Sequence, residues 1–174
     1  MKYVLIVLCF ILFLIIGYNS YLVLKKSDIK IYDNVEKIVV YKSLRQLSLV
    51  DKDDKALKTY KIALGFNPKG HKQREGDGKT PEGVYEIDYR QFSRRYYKSL
   101  HISYPNEQDK EVAKSKNVSP GGFIMIHGLG KIFAFMKGVH KNFDWTLGCI
   151  ALDNEEIDEI WANVKDGIKI EIKE

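Results

Sequence analysis

The chain has 174 residues, 45% of them hydrophobic and 29% charged, with a formal net charge of +5. Once an apolar N-terminus is set aside, enough remains for one domain with a real core. The two cysteines, Cys9 and Cys149, cannot make a disulfide framework and no nucleic-acid-binding motif is present, so a stapled scaffold and a nucleic-acid partner are excluded, while the positive charge suits an anionic polymer or lipid surface.

Residues 3–16 are 14 consecutive apolar or aromatic residues, and the run continues less purely to Leu24. A helix over residues 3–24 would rise about 33 Å, against a hydrocarbon core of roughly 30 Å. Residues 1–24 are therefore expected to be a transmembrane anchor. A cleaved signal segment is the alternative, disfavoured because Gly17-Tyr18-Asn19-Ser20 lacks a small-x-small cleavage pattern. Lys25, Lys26 and Lys30 follow the run and only Lys2 precedes it, so charge counting alone would keep the rest of the chain in the cytoplasm. Residues 25–35 read as a polar linker and residues 36–174 as the folded domain.

Short strand-like runs then alternate with turn clusters. Residues 38–41 and 44–50 are apolar or alternating, residues 51–55 are a charged turn, and residues 57–66 return as a strand, which predicts a hairpin arrangement. Residues 68–83 hold Pro68, Gly70, Gly76, Gly78, Pro81 and Gly83 and must form a loop. Residues 84–89 and 100–104 read as strands, and residues 106–117 carry a weak helical pattern. Residues 123–127 and 148–152 are short apolar strands, the first expected to be buried on both faces. Asp153 with Glu156 three residues on has the form of a helix cap, and Ile157, Ile160, Trp161 and Val164 share one helical face. Residues 168–172 alternate as a last strand. The fold class expected is mainly β, built of antiparallel sheets with one or two packed helices, plus the N-terminal membrane helix.

Cys149 and His127 carry the candidate chemistry. A thiolate nucleophile needs a nearby base or cation and backbone amides to hold an oxyanion. Gly148 lets the backbone approach a ligand closely, and His127 ends a strand where loops gather. Against this, a free cysteine is often an inert buried hydrophobe, and a histidine on an apolar strand is often a core residue. His140, His71 and His101 rank lower, with His140 expected at the surface or in a loop. A zinc site from His127, His140 and Cys149 lacks any short-spaced ligand pair. Asp77 suits a turn role and Glu82 could line a cleft. Trp145 is either a stacking wall beside the thiol or core.

The combination is more specific than its parts. His127-Gly128, then the 17-residue spacer 129–145, then Thr146-Leu147-Gly148-Cys149 resembles the signature of L,D-transpeptidase catalytic domains, the YkuD-like family. Gly76-Asp77-Gly78-Lys79-Thr80-Pro81-Glu82-Gly83-Val84-Tyr85 is similar to that family's turn before a central strand, and residues 42–49 to its first hairpin. Asp144-Trp145-Thr146 with Gly148-Cys149-Ile150-Ala151 looks more like the branch of YafK-type murein enzymes. Leu147 stands where the common pattern has His, and Ala151 where it has Arg or Asn.

The resemblance implies a YkuD-like β-sandwich or barrel over the soluble part. It implies Cys149 as nucleophile and His127 as base, with Gly148, Thr146 and Gly128 positioning substrate or oxyanion. It implies a thioester on Cys149 formed from peptidoglycan stem peptides and resolved by an amine (transpeptidase) or by water (peptidase or amidase), without a cofactor. A catalytically inactive wall-binding module is the non-enzymatic alternative. The location implied is the cell envelope, with the domain on the extracytoplasmic side.

Overall fold

The computed structural model describes Val7, residues 10–17 and residues 29–174. Eight strands form one mixed sheet: β1 (Lys37–Tyr41), β2 (Gln46–Val50), β3 (Ala56–Lys61), β4 (Gly83–Ser93), β5 (Tyr97–Ile102), β6 (Met125–His127), β7 (Ile150–Ala151) and β8 (Lys169–Lys173). Their spatial order is β3-β2-β1-β8-β4-β5-β6-β7. Helices α1 (Glu107–Ser115) and α2 (Asn154–Asn163) interrupt the strand sequence.

The expectation of antiparallel sheets is corrected at two places. β1 runs parallel to β8, and β6 runs parallel to β7. Alternation of apolar residues reports which face of a strand is buried, and says nothing of its direction. Direction follows from the connections. The long segment 128–149 between β6 and β7 is a crossover, which a parallel pair needs and a hairpin does not. β1 and β8 are the first and last strands of the domain and meet side by side.

The sheet also closes on itself. Its end strands are β3 and β7, and the segment following β3 reaches across to β7. Ala63 N donates to Ala151 O at 3.0 Å and Ala151 N donates to Ala63 O at 2.9 Å. Inside lies a continuous core that includes Ile38, Val40, Leu47, Leu49, Ile87, Leu100, Ile126, Ile150 and Ile170. Each such side chain, fully buried, stabilises the fold by about 1.5–3 kcal/mol before entropy is counted.

α2 adds Ile157, Ile160 and Val164 to this core, with Trp161 packed against it, as the helical spacing predicts. Glu156 Oε2 accepts from Asp153 N at 3.0 Å, so the N-terminal cap also follows the sequence pattern. Lys98 Nζ and Tyr97 Oη donate to Asp158 at 2.6 and 3.0 Å, fastening β5 to α2.

The expected transmembrane helix over residues 1–24 is not supported. Among the described residues, no helix is long and apolar enough to cross a membrane. Residues 10–17 are helical, but eight residues rise only about 12 Å. The rest of that span, apart from Val7, and residues 25–28 of the expected linker lie outside the described residues. The remainder of the linker is docked: Tyr32 N donates to Asn163 Oδ1 at 2.6 Å, and Asn163 Nδ2 donates to Lys30 O at 2.8 Å.

The glycine-proline loop between β3 and β4 is ordered around Asp77. Its carboxylate accepts from Lys72 Nζ at 2.8 Å and from the backbone N–H groups of Gln73, Arg74 and Lys79 at 2.8, 3.1 and 3.0 Å. Burial alone would raise the Asp77 pKa, but Lys72 and these amides hold it below the usual carboxylate range. Glu82 is engaged by the buried Lys42, whose Nζ donates to it at 2.6 Å.

Candidate active site

His127 ends β6 and Cys149 immediately precedes β7. Ile126 pairs with Ile150 and His127 with Ala151, so the two residues stand on neighbouring parallel strands. Both line one cleft of about 290 Å³, together with Arg95, Tyr96, Trp145 and Leu147. Cys149 is half-buried, and its Sγ lies 3.6 Å from Phe123 O, to which the thiol donates. The imidazole is 1% exposed.

The histidine tautomer follows from its surroundings. His127 Nδ1 lies 2.7 Å from the carbonyl oxygen of Gly128. A carbonyl only accepts, so Nδ1 carries the proton and Nε2 is the basic nitrogen. Burial pushes the His127 pKa down to about 4, against the upward pull of the Gly128 carbonyl, with His140 and Arg95 lowering it further. Burial raises the Cys149 thiol, opposed by a hydrogen bond from the Met125 backbone and by the charges of Lys72 and Arg95. The resting pair at neutral pH is therefore a thiol beside a neutral imidazole.

The turn before Cys149 is built by Thr146. Its hydroxyl donates to Cys149 O at 2.7 Å and accepts from Gly148 N at 3.1 Å. The Gly148 N–H is thus committed within the turn. Gly148 itself has φ +131, and a Cβ there would meet Lys79 O at 2.6 Å, so a side chain is refused on both counts. Gly128 is closed in as well: a Cβ would meet Asn154 Oδ1 at 2.6 Å. Its carbonyl holds the His127 proton, which gives this glycine a defined part in the site.

The turn is anchored from outside. Arg45, in the β1–β2 turn, reaches Asp144 Oδ2 at 2.7 Å through Nη2. Asp144 Oδ1 in turn accepts from Leu64 N at 3.0 Å. Trp145 N and Thr146 N both donate to Leu64 O at 3.1 Å.

A family model described as L,D-transpeptidase catalytic domain, YkuD, matches residues 36–172, most of the chain. The chain belongs to this L,D-transpeptidase family. YafK of Escherichia coli K12 is 33% identical over 132 residues, 73% of this chain and 46% of that protein. The helical cell shape determining protein Pgp2 of Campylobacter jejuni is 28% identical with a TM-score of 0.62, covering 82% of this chain and 48% of that one. Bd1075 of Bdellovibrio bacteriovorus shares the fold, with 22% identity and a TM-score of 0.59 over 83% of this chain and 51% of that one. The chain thus spans about half the length of these relatives.

Several residues that line the cleft were not legible from the signature. Arg95 and Tyr96 come from the turn between β4 and β5, and the Tyr96 ring lies 4.5 Å from the His127 ring between centroids. The cluster Arg94-Arg95-Tyr96-Tyr97 was the available signal, a basic and aromatic hairpin tip. Trp145 is a wall: it is 37% exposed and lines the cleft. His140, expected at the surface or in a loop, lies in the crossover between β6 and β7 but is buried, because its ring packs against Trp145 and its Nε2 lies 3.1 Å from Asp153 Oδ1. His71 and His101 are engaged elsewhere, with Asp109 at 3.0 Å and Asp88 at 2.7 Å.

Proposed function

We propose that this chain is a cysteine-dependent L,D-transpeptidase that acts on peptidoglycan stem peptides in the cell envelope through a Cys149 thioester. One observation carries the reading. Cys149 and His127 line the same cleft from adjacent strands, with the ring's Nδ1 proton tied down and Nε2 left basic.

The steps follow from that tautomer. As the thiol attacks the carbonyl carbon of the scissile amide, a C–S bond forms and the proton passes to His127 Nε2. The C–N bond then breaks, and the leaving amine takes the proton from the imidazolium. An acceptor amine gives a proton back to Nε2 and attacks the thioester, and the departing sulfur is reprotonated. Burial disfavours a standing ion pair, so proton transfer is coupled to attack. Arg95 places a cation beside the cleft, where the acidic groups of a stem peptide would find it.

A hydrolytic second outcome is favoured by one feature. Cys149 is half-buried rather than sealed and Leu147 beside it is 71% exposed, so a water path to the thioester is short.

The test is incubation of the purified protein with defined muropeptides, read by mass spectrometry beside Cys149→Ala. Cross-linked or exchanged products mean transfer, and released amino acid or peptide means hydrolysis. Cys149→Ala abolishes all product while retaining the fold. Turnover surviving that substitution would overturn the mechanism.

A further inference from the structure

One buried imidazole is left unused by this mechanism. His140 sits in a short 3-10 turn and is 1% exposed. Its Nε2 faces Asp153 Oδ1 at 3.1 Å, while its Nδ1 is buried without a hydrogen-bond partner. Burial keeps the ring neutral against the pull of Asp153. The carboxylate only accepts, so the proton lies on Nε2. An unpaired buried nitrogen is costly; a plain packing role would be better served by an apolar ring.

Its neighbour is the Trp145 indole, which stands between two imidazoles. The indole is edge-on to His140, with centroids 6.1 Å apart at 78°, and edge-on to His127, 6.0 Å apart at 78°. Trp145 also divides two cavities. On one side is the cleft of His127 and Cys149, and on the other an apolar pocket of about 210 Å³ that His140 lines.

Asp153 fixes the other end of this stack. It follows Leu152, whose N–H donates to His127 O at 2.9 Å. It also accepts from Gly138 N at 2.8 Å and pairs with Lys141 at 2.7 Å. The carboxylate is therefore rigid with respect to both strands that carry the site.

We propose that His140, held by Asp153, is a positioning residue that sets the Trp145 indole against the His127 ring and so fixes the imidazole beside Cys149. This rests on the catalytic use of Cys149 and His127 argued above. The charged and titratable groups facing His140 are Asp153, which caps α2, Glu156 from its first turn, Lys141 from the turn of His140 itself and His127 from β6. Those facing His127 are His140 and Arg95. Neutral near pH 7, His140 opposes a proton on His127 only where acid protonates it as well, and there removing the imidazole lets the His127 pKa rise.

The test uses Trp161→Phe as background, which leaves Trp145 as the one indole of a chain with two. His140→Ala and His140→Gln are compared in it, because a glutamine amide can donate to Asp153 without titrating. His140→Ala lowers kcat about tenfold with KM moved less than about twofold, since small misplacements of a reacting group cost rate more than binding. Acrylamide quenching of Trp145 fluorescence rises with it. His140→Gln recovers the quenching and most of kcat at neutral pH, while the acid limb of kcat/KM moves to higher pH than in the parent. Wild-type quenching and kcat in His140→Ala would overturn the proposal, as would His140→Gln behaving like His140→Ala. Should His140→Ala not fold, His140→Phe, which fills the site without a donor to Asp153, takes its place, and wild-type quenching and kcat there overturn the proposal. A parent without Cys149-dependent product defeats the catalytic reading alone, and the quenching comparison still decides whether His140 positions Trp145.

Discussion

Two strand pairs of the same sheet, separated by β8, β4 and β5, are built differently. β1 and β2 are antiparallel and joined by a four-residue turn, with Ile38 opposite Leu49 and Val40 opposite Leu47 in the core. β6 and β7 are parallel and joined by the crossover 128–149, which carries Trp145 and Thr146 on its way to Cys149. The first pair buries apolar side chains and exposes no chemistry. The second is short, places a buried ionisable ring beside a half-open thiol, and depends on Thr146, Asp144 and Asp153 for its shape. Both pairs supply core residues, Ile126 and Ile150 among them, but only the second carries the proposed chemistry.

That division can be broken by substitution. His127→Gln is expected to lower turnover by about a hundredfold or more, the scale of general acid–base catalysis, while thermal melting stays close to the parent. An unfolded variant would make the ring a core residue and erase the contrast. Leu47→Ala should do the reverse. It costs about 2–5 kcal/mol of stability, the usual penalty for emptying a leucine site in a core, and leaves the kcat of the folded fraction intact; urea unfolding and single-temperature kinetics measure the two.

Acid should sharpen the contrast at the site alone. The His127 pKa is depressed to about 4 in the folded chain from an ordinary 6.5. The unfolded chain therefore binds the extra proton first as pH falls. The stability that the neutral buried ring contributes is complete above pH 6.5 and is lost between there and about 4. The loss is up to about 3 kcal/mol for this one group, read as the difference in pH dependence between the parent and His127→Gln in urea melts. A pH profile unchanged by the substitution would show the ring to be solvated. The smallest effect belongs to Arg95. Arg95→Gln should raise KM for an acidic muropeptide about fivefold with kcat little changed, the signature of lost uniform binding; an unchanged KM would place the guanidinium outside the substrate path.

The same contrast explains what could be read from the sequence. The hairpin, the loop 68–83, β4 and α2 follow from local signals: alternation, glycine and proline clusters, and the Asp153–Glu156 cap. His127 and Cys149 stood out through the resemblance of residues 127–128 and 146–149 to the family signature, and the structure brings both to one cleft. Parallel pairing was not legible, because alternation is blind to strand direction. Arg95 and Tyr96 were missed because a hairpin tip meets the cleft only after β5 docks on β6. The burial of His140 was missed for a similar reason, since its carboxylate partner lies 13 residues ahead on another element. Residues 1–24 were read by length and hydropathy, and no described helix supports the membrane span.

The bridge between Ala63 and Ala151 has a consequence for recognition. β7 hydrogen-bonds β6 on one side and the residues after β3 on the other, so the backbone next to Cys149 presents no open sheet edge. A peptide ligand cannot be gripped there by strand addition. It would have to be read by side chains lining the cleft, a mode that suits the proposed stem peptides, whose alternating L- and D-centres would make a poor ninth strand.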